Sequence, residues 1–170
     1  SWLGFFAMLS VLTLGLAPVN VVRAQDQTEA DAQDATIRPQ IEEFFTEYAA
    51  ATRSDTADGL LALFNLEAFV DLVQGQAQIE MPAALHAALV DRLGEATRQE
   101  FATEGTAWQR HRVIATTVFQ DGKKVEVFVR SWANDGQASR NIFWLEKNDR
   151  WQIVDWGDVE LGVRNSTLIS

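Results

Sequence analysis

Residues 111–130 read HRVIATTVFQDGKKVEVFVR. On either side of the central Asp121-Gly122, apolar residues recur at every second position, the period of a strand with one buried face. Asp-Gly is a two-residue hairpin pair, because both central positions of that turn need a positive φ that Asp tolerates and Gly adopts freely. Counting outward from the turn places Val118 opposite Val125, Thr116 opposite Val127 and Ile114 opposite Val129, all six on one face. The other face then carries Phe119, Glu126, Phe128, Val113, Arg130, His111 and Trp132. A slip of one residue exchanges the two sets, so burial of one face specifies the register.

The same pattern continues downstream. Asn134-Asp135-Gly136 forms a second, longer turn, Ile142 to Lys147 a third strand, and Trp151 to Trp156 a fourth, entered through Asn148-Asp149. Upstream the period is 3.6. Thr36 caps a helix over residues 36–53 with Pro39 in its first turn, where a missing N–H does no harm. Ile37, Ile41, Phe44, Phe45 and Tyr48 share its apolar stripe. Residues 60–64 and 67–73 form short helical runs. Pro82 opens a longer helix to Thr103 with Leu85, Leu89, Leu93 and Ala96 on its buried side. Helices followed by strands predict an α+β fold, with three to four N-terminal helices packed on one face of a curved four-stranded antiparallel meander.

The chain has 170 residues, 47% of them hydrophobic, enough for one domain with its own core. Residues 1–24 contain an uncharged apolar run, Trp2 to Val22, followed by a cleavage-like Val22-Arg23-Ala24, and read as a secretory signal peptide rather than an uncleaved membrane anchor, which predicts a periplasmic or secreted protein. Residues 25–35 (QDQTEADAQDA) read as an unstructured leader, and 36–170 as a single domain. With 14 basic and 24 acidic residues the net charge is -10, which argues against a nucleic-acid partner. The absence of cysteine excludes disulfides and thiolate chemistry. The two histidines, His86 and His111, share no metal spacing, so no metal and no cofactor is expected.

There is no Gly-x-Ser-x-Gly elbow and no phosphate-binding glycine loop, and no catalytic residue is expected. Asp155, in the last strand, is the carboxylate best placed to enter an apolar cavity, or else to pair with Arg130, Arg140 or Arg150. A catalytic pairing of Asp155 with His111 is disfavoured by the hairpin count, which puts His111 on the outer face. The aromatic load of helices and strands points instead to an apolar small molecule or lipid held between the two layers. The expected lining is Phe44, Tyr48, Phe64, Phe69, Leu89, Val127 and Val129. The alternative is an interaction module docking through Phe119, Phe128 and Trp132 on the outer face, as a homodimer or against an envelope protein.

Three segments carry a resemblance in order. FNLEAFVDLVQG (64–75), Met81-Pro82 with the helix that follows, and WQIVDWGDVELGV (151–163) resemble the MlaC-type periplasmic phospholipid-carrier (toluene-tolerance) family. The last of these is similar to that family's Trp-Lys-Val-Tyr-Asp-Val-x-Val-Glu-Gly-Val signature, with Leu161 interrupting it. The resemblance implies a non-enzymatic lipid shuttle of the Gram-negative envelope that takes acyl chains between helices and sheet. More broadly, helices before a curved meander look like the NTF2-like superfamily, whose members often dimerise through the outer sheet face.

Overall fold

A computed structural model describes residues 19–54, 56–104, 108–119, 122–133, 135–159 and 163–166. Four helices precede the sheet: α1 (Val19–Ala51), α2 (Asp58–Leu61), α3 (Leu66–Ala77) and α4 (Ala83–Glu104). The strands are β1 (Trp108–Phe119), β2 (Lys124–Ala133), β3 (Ala138–Lys147), β4 (Trp151–Asp158) and a two-residue β5 (Val163–Arg164), which the sequence did not announce. They pair antiparallel in the order β1-β2-β3-β4-β5. The α+β meander read from the sequence is the observed architecture.

The first helix corrects one expectation. It begins at Val19, so Thr36 is not its cap and Pro39 lies inside it. The segment 25–35, expected as an unstructured leader, is helical: its Gln, Glu and Ala are strong helix formers and nothing in it breaks the run. Residues 1–18 of the expected signal peptide lie outside the described residues. Among the described residues no helix is long and apolar enough to cross a membrane.

The predicted stripe of α1 is the stripe that packs. Ile37, Ile41, Phe44 and Phe45 are buried against Val125, Val127 and Val129 of β2, Phe143 and Leu145 of β3, and Trp151 and Ile153 of β4. At the first hairpin Asp121 lies outside the described residues, but Gly122 has φ +81°, and a Cβ there would come within 3.0 Å of Ile37. The positive φ favours glycine there, and a side chain would also make the Ile37 tip give way by a few tenths of an ångström. The side chain of Asn65 caps α3 by accepting from the Ala68 N–H, and Phe69 and Val70 are the buried residues of that helix. Just before α3, Leu63 and Asn65 bracket Ile153 with two 2.8 Å backbone hydrogen bonds, which cover part of the β4 edge. The α4 helix packs mainly on α3.

The hairpin register holds at Val118–Val125 and Thr116–Val127, then shifts. Ala115 pairs with Phe128 but Val113 pairs with Val129, leaving Ile114 as the extra residue of a β-bulge. From Val113 back to Arg110, where a second irregularity follows, the side chains therefore change face. Ile114, expected inside, is 52% exposed, while Val113, expected outside, packs on the core. The cause is visible in the sequence: continued alternation would have turned Arg112 and Arg110 into the apolar layer, and burying unpaired guanidinium groups costs far more than one lost ladder bond.

Candidate functional site

The bulge brings His111 inward, against the expectation that it faces out. Its ring meets Tyr48 edge-on, with centroids 5.0 Å apart, and its Nδ1 lies 2.9 Å from the Oγ of Ser131, a fully buried serine of β2. Its Nε2 is buried without a hydrogen-bond partner. Burial, and then the nearby Arg53 charge, push the His111 pKa down from 6.5 to about 4; burial pushes Tyr48 up to about 12. Because the folded state resists protonation at His111, this group destabilises the fold on acidification. Its contribution is intact above about pH 6.5 and is lost as the pH falls towards 4. Urea unfolding of wild type and His111→Gln at pH 7 and pH 4.5 should show the wild type losing more stability than the variant. An equal loss in both would show that His111 titrates normally.

His111 belongs to a recess between α1 and β1 of about 580 Å³, lined by Arg38, Glu42, Phe45, Thr46, Ala49, Arg53, Arg110, His111, Arg112 and Val113. A second recess, of about 450 Å³, lies at the other end of β1. It is lined by Phe119, Val125, Trp144, Leu145, Val154 and Leu72, with Lys124, Glu126, Glu146 and Arg164 among them. Trp144 is fixed there by its Nε1–H, which donates to Glu126 Oε2 at 2.8 Å, and by the Arg164 guanidinium 3.9 Å over its ring. An ion pair between Lys124 and Glu146 lies at the same place. A third recess, about 380 Å³, lies where α2, α3 and α4 meet β4 and includes Phe64 and Val90.

The residues expected to line a ligand cavity are placed otherwise. Phe44, Val127 and Val129 are part of the filled core between α1 and the sheet, and Phe69 stacks on Trp156 at 5.1 Å. Tyr48 packs on Phe45, His111 and Phe143. Leu89 sits on α4, in the helix pair with α3. Of the seven, only Phe64 lines one of the three recesses. The physical reason is ring packing: Phe44, Phe45, Tyr48 and Phe143 meet one another at 5.2–5.8 Å, so these rings are engaged with each other.

The outer-face set separates too. Phe119 is 46% exposed and lines the apolar recess. Phe128 is half-buried opposite Ala115 and Ile142, and the guanidinium groups of Arg110 and Arg130 lie 5.6 and 5.1 Å from the centre of the Trp132 ring. Asp155 and His111 do not share a site. Asp155 is fully buried, and instead of an arginine it takes Ser166 Oγ at 2.6 Å, Ser166 N–H at 3.3 Å and Trp156 N–H at 2.9 Å. His86 bridges α4 to Asp71 of α3 at 2.9 Å. The sequence reading missed Trp144, Leu72 and Val154, because a bulge in β4 opposite Trp144 and Leu145 moves Val154 out of simple alternation. It missed the arginine set because Arg38 and Arg53 are far in sequence from Arg110 and Arg112.

No known family pattern matches the chain, and among curated proteins none matches it. Among solved structures it is similar to a phospholipid-binding protein from Ralstonia solanacearum, solved in complex with a phospholipid. The TM-score is 0.51 at 15% identity, over 86% of this chain and 81% of that one. The two share a fold. At this identity the likeness concerns the arrangement of helices and sheet and assigns no residue of this chain a role.

Proposed function

We propose that this chain is a non-catalytic binding protein for an apolar ligand of the acyl-chain kind, exported to the periplasm and acting there in lipid transfer. The observation that carries the reading is the recess of about 450 Å³ walled by Phe119, Val125, Trp144, Leu145, Val154 and Leu72. Its size falls in the range of small-molecule sites, roughly 300–1,000 Å³, and its wall is mostly apolar with a few charged groups at fixed positions. The relative of shared fold binds a phospholipid, which supports the ligand class. The uncharged run between Trp2 and Val22 supports export. The ligand site in this reading differs from the interlayer core, which the aromatic rings occupy.

Mass spectrometry of lipids extracted from the purified protein, with uptake of a fluorescent fatty acid, tests the reading. Phe119→Asp is the informative variant, since a side chain this exposed can be changed without unfolding the protein. Losing one phenylalanine contact of about 1.5–3 kcal/mol should weaken uptake roughly 10- to 100-fold. Protein that carries no lipid and takes up none would end the proposal. A second reading, docking through the outer sheet face, is favoured by Ile114, which the bulge leaves 52% exposed. Light scattering that gives a dimer for wild type and a monomer for Ile114→Lys would support it.

A further inference from the structure

We infer that the recess between α1 and the edge strand β1 is a binding site for an oxyanion, a phosphate or carboxylate group, with His111 and four arginines among the residues that line it. The chain as a whole is acidic, with 24 carboxylates against 14 basic residues. This recess reverses that balance. Four of the chain's eleven arginines line it, Arg38, Arg53, Arg110 and Arg112, together with His111. The acid among the lining residues is Glu42, which is engaged with Arg38 at 3.4 Å. Guanidinium is the group whose planar fork matches phosphate and carboxylate oxygens, and an arginine-rich lining on an acidic protein selects for anions over cations.

Three further observations point the same way. The recess, at about 580 Å³, has room for an oxyanion carried on a larger molecule. The imidazole at its back is half satisfied: Nδ1 is held by Ser131 Oγ, while Nε2 is covered and has no partner. A buried nitrogen without a partner is costly, and a bound oxygen that reached it would supply the missing bond. The β1 bulge turns the imidazole inward while its chain neighbours Arg110 and Arg112 stay exposed at the same stretch of the strand. The groups that act on His111 are Tyr48 from α1, Arg53 just after α1 and Ser131 from β2, while Arg38, Glu42, Arg110 and Arg112 line the same recess. With these groups around it His111 is held neutral, and a bound anion offsets the arginines and favours its protonation. Anion binding is therefore coupled to proton uptake. The inference does not depend on the apolar recess being used.

The chain contains only two histidines, so imidazole NMR resolves His111 with His86 as an internal control. The probes are inorganic phosphate and monomeric dihexanoyl-phosphatidylglycerol, against sodium chloride at matched ionic strength. Phosphate should shift the His111 resonances and raise its titration midpoint by about one pH unit or more while His86 follows chloride. Arg53→Gln and Arg112→Gln should each weaken that shift about tenfold, as expected for loss of one charge-assisted hydrogen bond. Response to both probes assigns a free-oxyanion site, and response to the short-chain lipid alone assigns a lipid headgroup. The inference is overturned if neither probe moves His111, or if both arginine variants respond as wild type does. Either result leaves the fatty-acid uptake test untouched, so the two readings fail separately.

Discussion

Replacing Asp155 with alanine lowers the stability of this protein by about 3–5 kcal/mol, because its buried carboxylate is the common acceptor for three donors. Ser166 supplies two of them, through its hydroxyl and its backbone N–H, and Trp156 N–H is the third. The same Ser166 hydroxyl accepts from Gln76 of α3. One side chain thus ties β4 to the turn after β5 and, through Ser166, to α3. Removing it leaves buried donors with nothing to bond, and a methyl group accepts no hydrogen bond. For a chain of this size the loss corresponds to a fall in Tm of about 10–15 °C. Asp155→Asn retains one oxygen but offers Ser166 an N–H where it needs an acceptor, so it should lose roughly half as much. Thermal and urea unfolding of the three proteins measure this directly. An alanine variant within about 1 kcal/mol of wild type would mean the carboxylate is not the tie it is taken to be.

Phe45→Ala is expected to cost as much by a different route. Phe45 is 3% exposed and its ring meets Phe44 at 5.4 Å, Tyr48 at 5.8 Å and Phe143 at 5.2 Å. Truncation removes the transfer free energy of the ring and leaves a void that rigid neighbours cannot fill, a loss of about 3–5 kcal/mol. Native domains hold only about 5–15 kcal/mol in reserve, so either substitution alone brings the protein near its limit. Phe45 also lines the arginine-rich recess, so its loss should loosen the wall on which His111 and Tyr48 rest. Urea unfolding gives the first effect. Phosphate titration of the His111 resonances gives the second, and an unchanged phosphate response would show that the recess stands without Phe45.

Local patterns carried the architecture. The 3.6-residue stripe of Ile37, Ile41, Phe44, Phe45 and Tyr48 and the alternating valines of β2 name the two surfaces that meet. They do so because burial is periodic along each element and the period is written in the side chains. The helix start at Val19 was not legible, because the residues from 25 to 35 carry no apolar stripe and their helix-forming propensity was outweighed by their acidity. The function was least legible. Bulky aromatics at core spacing read equally well as the lining of a cavity and as its filling, and which of the two holds depends on how rings from different elements interlock.

Alternation and turn chemistry alone established an antiparallel meander behind amphipathic helices, with Val118, Thr116, Val125, Val127 and Val129 towards them. Only the tertiary structure decided that Ile114 drops out of the ladder, that His111 turns inward beneath Tyr48, and that Arg38 and Arg53 meet Arg110 and Arg112 across one recess. The first set depends on contacts between near neighbours of a regular pattern. The second depends on a single extra residue and on groups more than fifty positions apart, whose free energies become commensurate only once the chain has brought them together.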